Sequence, residues 1–210
     1  MRKLTCTALA LCAGLLTAAP EMMAQTQINA WFGGGTATAP SSGQVIDPLG
    51  TGVFQQTPKI TGTFLDLGAG VMLTDHYGAN FNLSWRASQG AYANFLNYRP
   101  IFYDFNGVWQ PIKSSRIVPE IEGGIGGTRL TFYINQSGCD QLVGCSTSNS
   151  VLESSSHFQV HMAAAVRFYV TPKVFIRPAI DAHYVNNFFQ FGSNWVPMYT
   201  VSVGYSFGGQ

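Results

Sequence analysis

Beyond its first two dozen residues the chain alternates apolar with small or polar residues at a period of two, the spacing at which successive strand side chains point to opposite faces. From Phe64 to Leu73 one parity holds Leu65, Leu67, Ala69, Val71 and Leu73, and the other holds Phe64, Asp66, Gly68, Gly70 and Met72. After Asp75-His76-Tyr77-Gly78 the pattern resumes, with Ala79, Phe81, Leu83 and Trp85 opposite Asn80, Asn82, Ser84 and Arg86. A short connection between two such runs predicts a hairpin.

Two more hairpins follow. Ile101, Tyr103, Phe105 and Trp109 alternate with Phe102, Asp104 and Asn106; beyond Lys113-Ser114-Ser115, Ile117, Ile121 and Ile125 alternate with Glu120, Glu122, Gly124 and Gly126. Phe158, Val160, Met162, Ala164, Val166 and Phe168 alternate with Gln159, His161, Ala163, Ala165 and Arg167. Past Thr171-Pro172-Lys173, Val174, Ile176, Ile180 and Tyr184 alternate with Arg177, Asp181 and His183. A strand near Ile28–Phe32 opens the series and one at Tyr199–Phe207 closes it, which makes an even total of eight, as in single-chain bacterial barrels. Tight turns near Asp75, Lys113 and Thr171 alternate with long polar segments at about Thr36–Ile60, Ser88–Asn97, Asn135–Ser154 and Asn186–Trp195. Such alternation assigns the short turns to the periplasmic side and the long loops to the outside. The predicted fold is all-β: an eight-stranded antiparallel up-and-down transmembrane β-barrel.

Charge tests the two-faced pattern independently. Asp66, Arg86, Asp104, Glu120, Glu122, Arg167, Arg177 and Asp181 all fall on the inward parity, and most of the other charges sit in turns, loops or strand ends. A Lys or Arg facing lipid at mid-strand would cost about 2–4 kcal/mol. Arg129 shares the outward parity but lies near the external strand end, where it can snorkel to head groups. The eight inward residues form the expected interior charge network. An eight-stranded barrel is only wide enough for side chains to fill it, so a plugged interior is the primary reading and a narrow pore the alternative. The acids outnumber the arginines, which requires His161 and His183 to take up protons or some carboxylates to stay neutral.

Composition supports this class. Charged residues are 10% of the 210, against about 25% in ordinary soluble domains, and the aromatics reach 13%. A helical membrane protein would need about 20 consecutive apolar residues per span, and none follows the N-terminus. That terminus itself, with Arg2 and Lys3, an apolar core from Leu4 to Leu16 and then small residues, reads as a secretory signal. The chain therefore divides into a leader at 1–24 and a barrel domain at 25–210. Without Arg2, Lys3 and Glu21 the remainder carries nine basic and nine acidic side chains. A nucleic-acid partner is not expected of so neutral a surface.

Cys139 and Cys145, in the polar segment Asn135–Ser154, fit a small disulfide loop in an oxidising compartment. A metal site there finds no third ligand nearby. His157 and His161 would pair on a helix, but a strand holds them about 13 Å apart, so no metal or other cofactor is expected.

The last strand, with Tyr199, Val201, Val203, Tyr205 and Phe207, resembles the terminal signature by which outer-membrane barrels are recognised by the barrel-assembly machinery; here Gly208-Gly209-Gln210 follow the final aromatic. With four long loops and an inner charge network, the mature chain resembles the OmpA membrane domain, OmpX and the related outer-membrane β-barrel domain family. The resemblance implies a non-enzymatic outer-membrane anchor surrounded by lipids and lipopolysaccharide, whose loops meet an extracellular ligand, sometimes for adhesion or defence against host factors.

Three features compete with that expectation. Ser155, Ser156 and His157, near Glu153, have the residue types of a nucleophile and its base, which points to lipid A modification at the outer rim. The deacylase pattern, however, runs His then Ser. The clusters Gly33-Gly34-Gly35 and Gly123-Gly124-Ile125-Gly126-Gly127 lack the following helix a phosphate loop needs, and relief of crowding in a narrow barrel accounts for them. Trp31, Trp85, Tyr103, Trp109, Tyr184, Trp195 and Tyr205 read as interfacial girdles.

Overall fold

Eight strands of alternating residues build one closed wall. They are β1 (Gln27–Ala37), β2 (Thr63–Met72), β3 (Tyr77–Arg86), β4 (Leu96–Trp109), β5 (Ile117–Asp140), β6 (Gly144–Tyr169), β7 (Val174–Val185) and β8 (Trp195–Phe207). Each pairs antiparallel with its sequence neighbours, and β1 pairs with β8 to close the ring. The computed structural model describes residues 27–41, 43–47, 51–93, 96–112, 114, 116–140 and 144–208, with side chains undescribed at 93, 135–140 and 144–148. The leader assigned to residues 1–24 lies outside the described residues. Among the described residues no helix is long and apolar enough to cross a membrane.

The register fixes the shape of the barrel. From Gln27 the ladder steps to Met72, Gly78, Val108, Glu122, Ala163, Asp181 and Met198, and re-enters β1 at Ala37, ten residues beyond its start. With residue and strand spacings of about 3.3 and 4.8 Å, that offset over eight strands tilts them by about 40° and leaves a backbone diameter of about 16 Å. Such a lumen holds side chains and little else.

Outside, Phe32, Leu67, Phe105, Ile125, Met162, Ile180 and Val203 are exposed around the wall. A soluble protein does not present an apolar belt of this extent; a bilayer covers it. Tyr77 and Trp109 stand exposed where β3 and β4 meet the short-turn end, and Trp195 with Tyr199 near the long-loop end. Trp31 departs from the girdle expectation. It is 2% exposed and points into the lumen, because it shares the parity of Asn29, Gly33 and Gly35 and not that of Ile28 and Phe32.

Residues 135–140 and 144–154 are strand where the sequence pattern reads loop. β5 and β6 stay paired far past the rim, from Leu130↔Ser155 to Asp140↔Gly144, with one irregularity at Phe132/Tyr133. Residues 149–154 of this hairpin are exposed on both parities, so the alternation that marks a strand is missing there. Cys139 and Cys145 face each other in its register, while their side chains lie outside the described residues.

The other external connections fold back over the mouth. The first pairs Val45–Ile46 with Gln55–Gln56 and ties Ala39 to Ile60 by reciprocal backbone bonds of 3.1 and 3.2 Å. The second returns through Gly90–Ala93 along β4. The fourth makes a single helical turn at Phe189–Phe191 that ends on Gly192, whose φ of 67° suits a residue without Cβ.

Candidate functional site

The lumen is stacked in three layers, and the inward parity of each strand decides which side chain enters which layer. In the layer toward the short turns, Glu120 accepts from Arg167 Nη2 at 2.7 Å, from Arg177 Nε at 3.2 Å and from Gln110 Nε2 at 2.8 Å. Arg177 also donates through Nη2 to Glu122. The Trp31 ring faces the Arg177 guanidinium at 4.6 Å, and Phe175 faces Arg167 at 5.1 Å. Asp66 accepts from Ser84 and Ser202 at 2.8 and 3.1 Å. Buried charges are tolerable only when paired and hydrogen-bonded in this way.

The middle layer is carboxylate and imidazole. Asp104 accepts from Gln159 and lies 3.5 Å from His183 Nδ1. His161 reaches Asn106 Oδ1 at 2.8 Å and Asp181 Oδ1 at 3.2 Å, and its ring stacks on His183 at 4.7 Å. Asp104, His161 and His183 each present a metal-ligating atom within 4.8 Å of the others. Along the chain His161 stands four residues from His157, a spacing that a strand keeps apart, and nothing local joins it to His183 or Asp104. The available signal was symmetry: His161 and His183 are equidistant from Pro172, the centre of the β6–β7 turn, and the register places them opposite each other.

The third layer closes the outer mouth with apolar groups from barrel and loops together. Phe191 packs on Tyr98, Phe188 and Tyr92 at 4.9, 4.9 and 5.7 Å, and Ile60, Leu96, Leu130 and Val196 are fully buried around them. Tyr92 donates its hydroxyl to the Gln190 carbonyl at 2.6 Å, and Tyr98 to that of Lys59 at 3.2 Å. Burial pushes the Tyr92 phenol well above the ordinary tyrosine range.

Of the eight residues assigned to an interior charge network, seven are buried in the two inner layers: Asp66, Asp104, Glu120, Glu122, Arg167, Arg177 and Asp181. Arg86 stands apart at the outer end of β3. There it donates to the Thr61 and Ser88 carbonyls at 2.8 and 2.5 Å and lies 5.5 Å over the Tyr98 ring. Arg86 has inward parity, but its position at the strand end puts it against the loops, where it braces them.

Ser155 Oγ and His157 Nε2 are 3.0 Å apart. Both share the inward parity of Gln159 and His161, and the His157 ring sits edge-on against Phe188 at 5.5 Å. The pair thus lines the barrel mouth; the bilayer side of that stretch carries Ser156 and Phe158. Tyr199, Val201, Val203, Tyr205 and Phe207 all face outward along β8, with Phe207 opposite Ile28 at the closing seam.

No protein-family model matches the sequence, and no curated protein does. Solved structures do match. Ail, the attachment invasion locus protein of Yersinia pestis, in complex with the heparin analogue sucrose octasulfate, is 11% identical with a TM-score of 0.55, over 87% of this chain and 99% of that one. A second Ail structure gives 0.51 at 11% identity, over 86% and 98%. A major outer membrane protein from Thermus thermophilus gives 0.52 at 8% identity, over 87% and 100%. At these identities the likeness is one of fold. The fold is that of the small eight-stranded barrels of the bacterial outer membrane, as expected from the alternation, and the apolar belt suits the same membrane.

Proposed function

We propose that this protein is a closed, non-enzymatic anchor in the outer membrane that holds a rigid β-hairpin and three folded-back loops outside the cell for contact with an extracellular ligand. The observation that carries this reading is the filled lumen. Ion-paired arginines, an imidazole–carboxylate layer and an aromatic stopper follow one another across the barrel, which favours an anchor over a solute channel. Glu153 to Asn149 and the rest of the β5–β6 hairpin extend beyond the rim, the part best placed to meet a partner. Arg99 and Arg129 have outward parity, Arg99 at the external end of β4 and Arg129 where β5 nears the rim, which suits the phosphates of surrounding lipopolysaccharide.

Lipid A modification is the less favoured reading. The Ser155–His157 pair has hydrogen-bonding distance for a nucleophile and base, but it faces the mouth, whereas acyl chains lie against the opposite face of β6. Ser155→Ala should leave the lipid A profile of expressing cells unchanged, and an altered profile would revive the enzyme reading.

Membrane-impermeant thiol labelling of intact cells tests the orientation, using a background with Cys139 and Cys145 replaced by serine. A cysteine at Thr51 is expected to label from outside and one at Lys173 only after lysis. The reverse pattern would put the loops and hairpin on the periplasmic side and end the display reading.

A further inference from the structure

We propose that the middle of the barrel is a binding site for one divalent transition-metal ion, held by Asp104, His161 and His183, with Asp181 orienting His161. The donor types are those of zinc and of metals that substitute for it: two imidazoles and a carboxylate.

Two observations converge on this site. The first is spacing. Asp104 Oδ2 and His183 Nδ1 stand 3.5 Å apart, close to the ~3.4 Å between two ligands about 2.1 Å from a tetrahedral ion. The His161 donor lies within 4.8 Å of both; with Asp181 on Nε2 the ligating nitrogen is Nδ1, and the ion takes the place of its 2.8 Å contact with Asn106 Oδ1. Asp181 stands 3.2 Å from His161 Nε2, the arrangement in which a carboxylate holds the far N–H of a ligating imidazole.

The second is charge. Among the described residues the lumen buries five carboxylates, Asp66, Asp104, Glu120, Glu122 and Asp181, and two guanidiniums, Arg167 and Arg177. The arginines are committed to Glu120 and Glu122, and hydroxyls serve Asp66. Asp104, which also accepts from Gln159, and Asp181 have the histidines as their nearest cationic partners. One divalent cation balances both carboxylates.

With the aromatic stopper above and the Trp31–Arg177 layer below, the ion enters as the barrel closes and leaves slowly. The test therefore refolds tag-free protein in detergent after denaturation with chelator, with Co2+ or Zn2+ present, and then desalts against a weak chelator. Wild type should retain one ion per chain, and its Co2+ form should show the intense absorption of a four-coordinate nitrogen–oxygen site. His183→Ala and Asp104→Asn should each lose retention. Asp181→Asn should weaken it about 10–100-fold, and His76→Ala, at the β2–β3 turn, should retain as wild type does. Heat-modifiable electrophoretic migration reports whether each variant folds. Wild type that folds without retaining metal overturns the site, even if no variant folds. Folded Asp104→Asn or His183→Ala that retains metal like wild type overturns the assignment as well.

Discussion

The guanidinium of Arg177 lies 4.6 Å over the ring of Trp31, inside the barrel and away from lipid. Arg177 also serves Glu120 and Glu122, so the indole forms one wall of the charge network. Trp31→Ala should remove this cation–π contact and open a cavity, a cost of about 3–5 kcal/mol. Trp31→Phe should keep roughly half. Urea unfolding in lipid vesicles measures both, and a cost below about 1 kcal/mol for Trp31→Ala would mean the ring is not packed there.

Arg177→Met should leave Glu122 buried without a cation and cost about 3–5 kcal/mol. Adding Glu122→Gln should restore part of the loss, because the stranded charge goes with it. The pair then shows a coupling of about 1–3 kcal/mol in a double-mutant cycle. Strict additivity would mean that the two act independently.

The glycines of one cluster should respond oppositely. A Cβ on Gly126 would run into the backbone carbonyl of Tyr103, while one on Gly123 meets nothing within 4 Å. Gly126→Ala should cost about 1–3 kcal/mol through overpacking. Gly123→Ala should be neutral or gain up to about 1 kcal/mol from reduced chain entropy. Equal effects would contradict the inward and outward assignment of β5.

Tyr92 provides a pH dependence outside the bilayer. Burial raises the folded pKa of its hydroxyl above the unfolded value, so its contribution is complete below about pH 10 and is lost as pH rises beyond it. Proteolysis of the external loops should therefore accelerate above about pH 10 in wild type, and Tyr92→Phe should flatten that dependence. A pH response unchanged by Tyr92→Phe would locate the titration elsewhere.

What could be read from the sequence follows from where a face has a single environment. Ile121, Ile125, Met162 and Ile180 face lipid while Glu120, Glu122, His161 and Asp181 face the lumen, so strict alternation exposes both sets. Trp31 obeyed the same rule but was assigned by residue type, since indoles favour the interface. The β5–β6 extension gives no such signal, since residues 149–154 are exposed on both parities. Ile60, Phe188 and Phe191 lie in aperiodic loops, and their burial depends on three connections converging over the mouth, a tertiary fact with no local period. The resemblance to the outer-membrane barrel family named the right fold from these same strands, without a rare motif to carry it to a role.

A filled lumen is the claim on which the anchor reading stands. Single-channel recording in planar bilayers, with heat-modifiable migration confirming that the inserted protein is folded, tests it most directly. The expected trace stays at the baseline of protein-free membranes. Stable, ohmic opening steps from folded wild-type protein would contradict a barrel filled with side chains.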